Sequence, residues 1–212
     1  MVKLSKTSKM PAKSWSLPAL ETCPGARENG ELVPACAGCY ATDGMYRMPN
    51  VQKPREHNQR DWDRHGWIDD MIAAIGNDKY FRWFDSGDMY SVRLAWKIYM
   101  VCLFTPDTQH WIPTRMSKFP KFYKVLEELA KLDNVVVRHS SDSITGGLTD
   151  HAVQSTIIPA REDLPDGATL CSSIDNDGKC GDCRACWNKE VPIVAYVAHG
   201  RKMTKLIKAI NL

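Results

Sequence analysis

The sequence predicts an α/β protein: a partial (β/α) barrel or an open parallel sheet of about five or six strands, with cysteine-rich metal-binding loops attached. Three observations lead there. Apolar strands alternate with amphipathic helices through the middle of the chain, the order that generates parallel βαβ units. The strands have apolar bodies and polar carboxyl ends. Seven of the eight cysteines fall in two short stretches, "TCPGARENGELVPACAGCYA" and "CSSIDNDGKCGDCRACW".

The elements follow in order. The first fifty residues read as irregular, with one short strand in "PAKSWSLPAL" before a Gly/Pro-rich loop. Trp62, Trp67, Ile68, Met71, Ile72 and Ile75 recur at helical spacing, predicting mostly helix over residues 52–75, stopped by Gly76-Asn77. "KYFRWFD" is an aromatic-rich strand broken by "SGD". "SVRLAWKIYMVCLF" is a helix whose apolar face holds Leu94, Ile98, Val101 and Cys102, closed by Pro106. "QHWIPTR" is a strand and "KFPKFYKVLEELAKL" an amphipathic helix. "NVVVRHS" is a strong strand because its three valines are consecutive and β-branched. "STIIPA" and "PIVAYVAH" are later strands, and "KMTKLIKAI" a last helix.

A chain of 212 residues forms one domain, 1–212, with a cysteine-rich loop at 20–42 and a cysteine-rich segment at 171–187. Its net charge of +3 does not call for a nucleic-acid partner, and does not exclude one. No run of 18 apolar residues is present, so no membrane span is expected. The basic N-terminus lacks the apolar stretch of a secretion signal. The cysteines are therefore expected to be cytoplasmic thiols, which cluster to hold metal more often than to form disulfides. Cys180, Cys183 and Cys186 follow a C-x2-C-x2-C run with Cys171 upstream, closer to iron–sulfur spacing than to the separated pairs of zinc sites. Zinc is the alternative, and free or paired thiols the bland one. Cys23, Cys36 and Cys39 offer three ligands, leaving one iron of a [4Fe–4S] cluster open, whereas the second group offers four. One shared site is the other arrangement, so one or two clusters are expected.

In parallel folds ligands sit at the carboxyl ends of strands. Those ends hold Asp85, Ser86, Gly87 and Asp88; Thr114 and Arg115; Arg138, His139, Ser140, Ser141 and Asp142; and His199. Together they predict a polar pocket. Gly87 would let a ligand approach the backbone, and Asp88 would accept hydrogen bonds from an amine or hydroxyl. The bland counterpart is a turn that caps the next helix. Cys102 reads as core, and Trp187 either shields a cluster or simply packs. His57, His65, His110 and His151 read as surface residues.

A loop ending "CAGCYA", then a helix, then a strand ending "SGD" resembles the radical S-adenosylmethionine enzymes. That resemblance implies Cys23, Cys36 and Cys39 as ligands of the active cluster. It places Ser86, Gly87 and Asp88 at the motif that contacts the amino group of S-adenosylmethionine, and Tyr40 at the aromatic beside the last cysteine. The loop here is C-x12-C-x2-C rather than C-x3-C-x2-C, and Asp88 replaces a glutamate. The second group, with Cys171, Cys180, Cys183 and Cys186, resembles auxiliary-cluster segments. "RWFDSGD", "VVVRHS", "CGDCRACW" and "VAYVAH" more closely resemble the phage "gene product eighty-eight" family, implying a phage protein in the cytoplasm of an infected bacterium. The activity so implied is reductive cleavage of S-adenosylmethionine and hydrogen abstraction from an unknown substrate, fed by an electron donor. Arg115, Arg138 and Ser140 would line its pocket. Two alternatives stand beside it: a non-catalytic protein with structural clusters that binds a host or phage partner, and a zinc-stapled nucleic-acid binder using the basic N-terminus and "KMTKLIKAI".

Overall fold

The computed structural model describes residues 1–7 and 9–210. Eight strands form one sheet. β1 (Leu4–Lys6) pairs antiparallel with β2 (Lys13–Trp15). From β2 the sheet continues in parallel through β5 (Tyr80–Trp83), β6 (Gln109–Thr114), β7 (Val135–Ser140), β8 (Gln154–Ile158), β10 (Ile193–Val197) and β9 (Ala168–Leu170). β3 (Arg27–Glu28) and β4 (Glu31–Leu32) make a separate hairpin inside the first cysteine loop. The helices are α1 (Pro34–Ala37), α2 (Pro49–Asp61), α3 (Trp67–Ile75), α4 (Val92–Leu103), α5 (Tyr123–Lys131) and α6 (Arg201–Ile210). β1 and β9 are the two edges. Of the two architectures expected, the large, mostly parallel sheet is the one observed, and no barrel closes.

The alternation of side chains decides what each face does. Phe81 and Trp83 of β5, Ile112 of β6, and Val135 and Val137 of β7 join Met71, Ile75, Leu94, Ile98, Val101, Cys102, Val125 and Leu129 in the main core. Trp15 meets Trp67 and Trp83 edge to face at centroid distances of 5.3 and 6.0 Å. Arg82 of β5, Trp111 of β6 and Arg138 of β7 sit at the alternate positions, on the other face. There a smaller cluster forms from Met10, Ala12, Trp111 and Trp187, with Tyr80, Cys180 and Cys186 packed on it. Both faces of β7 are therefore covered, which is why its valines run on without alternation.

The helix expected over residues 52–75 is two helices. α2 ends at Asp61, and Gly66 stands before α3 with φ of 75°, in the left-handed region that glycine adopts without strain. The apolar periodicity begins only at Trp62. The residues α2 buries are polar, Arg55 and Asn58. Asn58 accepts from the Lys3 N–H at 3.0 Å and donates to the carbonyls of Lys3 and Ser16 at 2.8 and 3.1 Å, fastening α2 to β1 and β2. The short strands β1 and β9 carry too little pattern to show in the sequence.

His110, expected at the surface, is 0% exposed. The Trp83 indole N–H donates to its Nδ1 at 3.3 Å, and its Nε2 lies 2.8 Å from the Thr105 hydroxyl, which donates onward to the Val101 carbonyl. That network takes the neutral ring with the proton on Nε2. Burial pushes the His110 pKa down from 6.5 to about 4. The folded state thus resists a proton that the unfolded chain accepts, so this contribution is complete above pH 6.5 and is lost as pH falls from 6.5 toward 4. The full loss is about 3 kcal/mol. Urea unfolding across that range should show stability falling with pH, with a shallower slope in His110→Gln.

Candidate functional site

The first cysteine loop leaves β2 and lies across the carboxyl rim of the sheet. The Asp88 N–H donates to the Thr22 carbonyl at 3.0 Å, the Ala35 N–H to the Asp142 carbonyl at 3.0 Å, and Lys118 Nζ to the Gly25 carbonyl at 3.1 Å. A Cβ on Gly25 would stand 2.6 Å from Cβ of Arg115, so this glycine lets the loop rest directly on the end of β6. Cys36 sits in α1 and Cys39 one residue past its cap, with the Cys39 N–H donating to the Cys36 carbonyl at 3.1 Å. The three thiols are close enough to feel one another's charge. Burial pushes the Cys23 thiol up to about 12, followed by the charge of Asp88 and then of Cys36 and Cys39. Burial also raises Cys36 and Cys39, and the Arg115 cation opposes the rise in both. A metal centre binding there would displace protons, so its affinity rises with pH.

Ser86, Gly87 and Asp88 reach this rim, but their groups serve the chain itself. The Ser86 hydroxyl donates to the Leu17 carbonyl at 2.7 Å. Gly87 has φ of 82°, and a Cβ on it would lie 2.5 Å from Cβ of Leu17 and 2.7 Å from Oγ1 of Thr22. What approaches its backbone is therefore the cysteine loop. Buried Asp88 accepts from the Met89 N–H and the Thr114 hydroxyl on Oδ1, both at 2.8 Å, and from the Arg115 N–H on Oδ2 at 2.9 Å. Gly87→Ala should cost about 2–5 kcal/mol, combining left-handed strain with overpacking. A matching fall in the denaturation midpoint would check it.

Asp85 is the hub beside them. It accepts from Arg55 at 3.1 Å, Arg82 at 3.2 Å and the Tyr46 hydroxyl at 2.8 Å, while its own carbonyl accepts from the Tyr40 hydroxyl at 2.7 Å. Tyr40 follows Cys39 directly and Tyr46 comes soon after it, so Asp85 ties the end of the cysteine loop to β5. Arg82 also reaches the Tyr40 hydroxyl at 3.4 Å and lies over the Trp111 ring at 4.5 Å. It links the rim to the opposite sheet face.

A cleft of about 440 Å³ opens past β6 and β7, lined by Arg115, Lys118, Ser140, Ser143, Asp150 and His151 among others. Arg115 and Ser140 are among its lining residues. The Arg115 guanidinium is held by Asp142 at 3.1 Å and the Ser141 carbonyl at 2.8 Å. Arg138 is elsewhere. It is 0% exposed, and its guanidinium donates to the carbonyls of Gln154, Ala185, Asn188, Val191 and Pro192.

Those carbonyls hold the second cysteine group against the sheet. Cys171 directly follows β9, with its N–H donating to the Ala195 carbonyl at 2.8 Å. The Cys180 N–H donates to the Lys9 carbonyl at 2.8 Å and the Cys183 N–H to the Cys180 carbonyl at 3.0 Å. The Cys186 sulfur lies 3.2 Å from the Tyr196 hydroxyl. Burial raises Cys186 to about 11 against the charge of Arg138, and raises Cys180 with help from Cys171. Trp187 packs on Tyr80 and Trp111 and donates to the Phe81 carbonyl at 3.0 Å. Cys102 lies in the core, as expected. None of the eight cysteines is disulfide-bonded.

Among the described residues, no three His, Cys, Asp or Glu side chains converge tightly enough for a single metal ion. A tetrahedral zinc thiolate needs sulfurs about 3.8 Å apart, given its bond lengths. The ligands of a cubane bind separate irons and stand wider. The two groups supply sulfur donors only, the donor type that such a cluster takes. Arg55, Tyr46 and Trp111 were not singled out by the sequence. Arg55 sits in a polar helix that reads as solvated, and no local spacing points to its partner thirty positions away.

A model of the family described as Gene product 88 matches residues 2–203. No curated protein and no solved structure matches significantly, so the likeness to radical S-adenosylmethionine enzymes rests on the quoted residues alone. The family match spans both cysteine groups, Asp85, Arg138 and every strand of the sheet, and the chain belongs to the Gene product 88 family.

Proposed function

We propose that this phage-family protein is an iron–sulfur protein, with Cys23, Cys36 and Cys39 as the ligands of one cluster and Cys171, Cys180, Cys183 and Cys186 as those of a second. One observation carries this. Seven cysteines, none of them in a disulfide, form two all-sulfur groups in which thiols are near enough to shift one another's ionisation, and each group lies beside buried polar contacts to the sheet. When bound, a cluster supplies single electrons and, at an iron without a protein ligand, a place for nitrogen or oxygen atoms of a ligand.

The chain's own groups then divide the work. Lys118, Asp142 and Asp85 hold the three-cysteine loop on the carboxyl rim, and Arg115 brings positive charge to Cys36 and Cys39. The neighbouring cleft would take the ligand. The ligand implied by the resemblance is S-adenosylmethionine. Its amine would need an acceptor other than Asp88, whose oxygens already accept three hydrogen bonds. That saturation favours a second reading, in which both clusters are structural and the surface binds a host or phage partner.

Protein purified without oxygen should be brown and hold iron with acid-labile sulfide. Serine at Cys23, Cys36 and Cys39 together should remove about half of the iron, and serine at Cys180 and Cys183 the other half, since each cluster has its own ligands. Addition of S-adenosylmethionine should change the electron paramagnetic resonance of the cluster on Cys23, Cys36 and Cys39. An unchanged spectrum hands the site to the structural reading.

A further inference from the structure

The face of the sheet beneath the second cysteine group holds polar groups that the chain leaves unanswered. Arg138 is fully buried, yet among the described residues no carboxylate lies within ion-pair distance of it. Its Nη atoms donate to neutral carbonyls, and its Nε has no partner. The Arg82 Nε is buried and unpartnered as well. So is the indole N–H of Trp111, a residue only 6% exposed that packs in one cluster with Cys180 and Cys186. Trp187 beside it is answered by the Phe81 carbonyl.

A buried cation without a counter-charge and a buried N–H without an acceptor each cost free energy. Three unspent N–H donors on one face against Cys180 and Cys186, one on the uncompensated Arg138, one on Arg82 (whose charge Asp85 already answers) and one on Trp111, have one chemical solution in common. It is an anionic centre with acceptor sulfurs. We propose that Arg82, Trp111 and Arg138 form the floor of the second cysteine site, neutralising and hydrogen-bonding the sulfurs of the cluster held by Cys171, Cys180, Cys183 and Cys186. This rests on the iron–sulfur reading and deepens it: these are tuning residues that touch the cofactor's sulfur, and none of them is a ligand to iron. Positive charge and N–H donors stabilise the reduced, more negative cluster, so this floor raises the reduction potential of the second cluster relative to the same ligands in an apolar setting.

The test is a potentiometric titration followed by electron paramagnetic resonance on the anaerobic full-length protein. The second cluster's signal is identified as the one lost in Cys183→Ser. In Trp111→Phe, which keeps the ring and removes the N–H, that signal should move to a more negative potential with iron content unchanged, while the other cluster's potential stays put. Arg82→Gln should move it the same way. A second measurement reads the contact directly: with ¹⁵N-indole tryptophan, pulsed resonance on the second cluster should show a nitrogen coupling that is absent in Trp111→Phe. Unchanged potential together with no nitrogen coupling overturns this assignment while iron and sulfide are present. Wild-type protein without iron and sulfide overturns the iron–sulfur reading itself, and this one with it.

Discussion

Arg138→Met is expected to lower stability by about 3–5 kcal/mol, because it takes the donor from buried carbonyls at about 1–3 kcal/mol each. At this chain length that is a fall of about 6–20 °C in melting temperature. The reason is the number of groups it leaves stranded. This one guanidinium donates to five backbone carbonyls, those of Gln154, Ala185, Asn188, Val191 and Pro192; when it is removed, those of Ala185, Asn188 and Pro192 keep a backbone N–H donor, so the loss falls on Gln154 and Val191. Buried carbonyls without donors cost about 1–3 kcal/mol each before relaxation. Three of the five belong to the stretch that joins Cys186 to β10, and Ala185 stands directly before Cys186, so this loss also releases the second cysteine group. Arg138→Lys should recover only part of the stability, because an ammonium cannot span the fork of contacts that a planar guanidinium makes. Thermal melts of both variants, with iron content measured alongside, check the two consequences together.

Asp85→Ala should cost as much, again about 3–5 kcal/mol, by the opposite route. It leaves two cations, Arg55 and Arg82, without the carboxylate they share, and the Tyr46 hydroxyl without its acceptor. Arg55 is only 6% exposed and has no other hydrogen-bond acceptor among the described residues. Asp85→Asn keeps one oxygen acceptor and should lose less. Combining Asp85→Ala with Arg55→Met removes both members of one pair, so the double variant should be more stable than the sum of the single losses predicts. Because Asp85 holds the Tyr40–Tyr46 turn, the same change should loosen the cysteine loop. Faster modification of Cys39 by a thiol reagent in Asp85→Ala than in wild type would show it.

These two centres explain what the sequence could and could not reveal. The consecutive valines of β7 and the apolar faces of α4 and α5 announce themselves, because burial on a sheet or helix face repeats at a fixed period. The polar ends of β5, β6 and β7 were equally visible, and the fold gathers them at one rim. The use of those polar groups was not visible. Ser86 and Asp88 read as ligand contacts and are in fact donors and acceptors that close the chain on itself. Arg138 read as pocket lining because it follows a strand body, whereas the pleat turns it to the covered face. His110 read as exposed because its sequence neighbours are polar, while its contacts, Trp83 and Thr105, come from β5 and the end of α4. The pairs Arg55–Asp85 and Arg138–Val191 span 30 and 53 positions, distances over which no local pattern reports. The helix break at Gly66 was legible in principle, since a glycine stands where the periodic face begins.

The two cysteine groups are each tied down beside a buried charge, and the proposed function puts an iron–sulfur cluster in each. The most direct measurement is an anomalous-scattering map collected at the iron absorption edge from crystals grown without oxygen. Iron density beside Cys23, Cys36 and Cys39, and again beside Cys171, Cys180, Cys183 and Cys186, is the predicted result. Well-ordered thiols at both places with no iron beside them would contradict it.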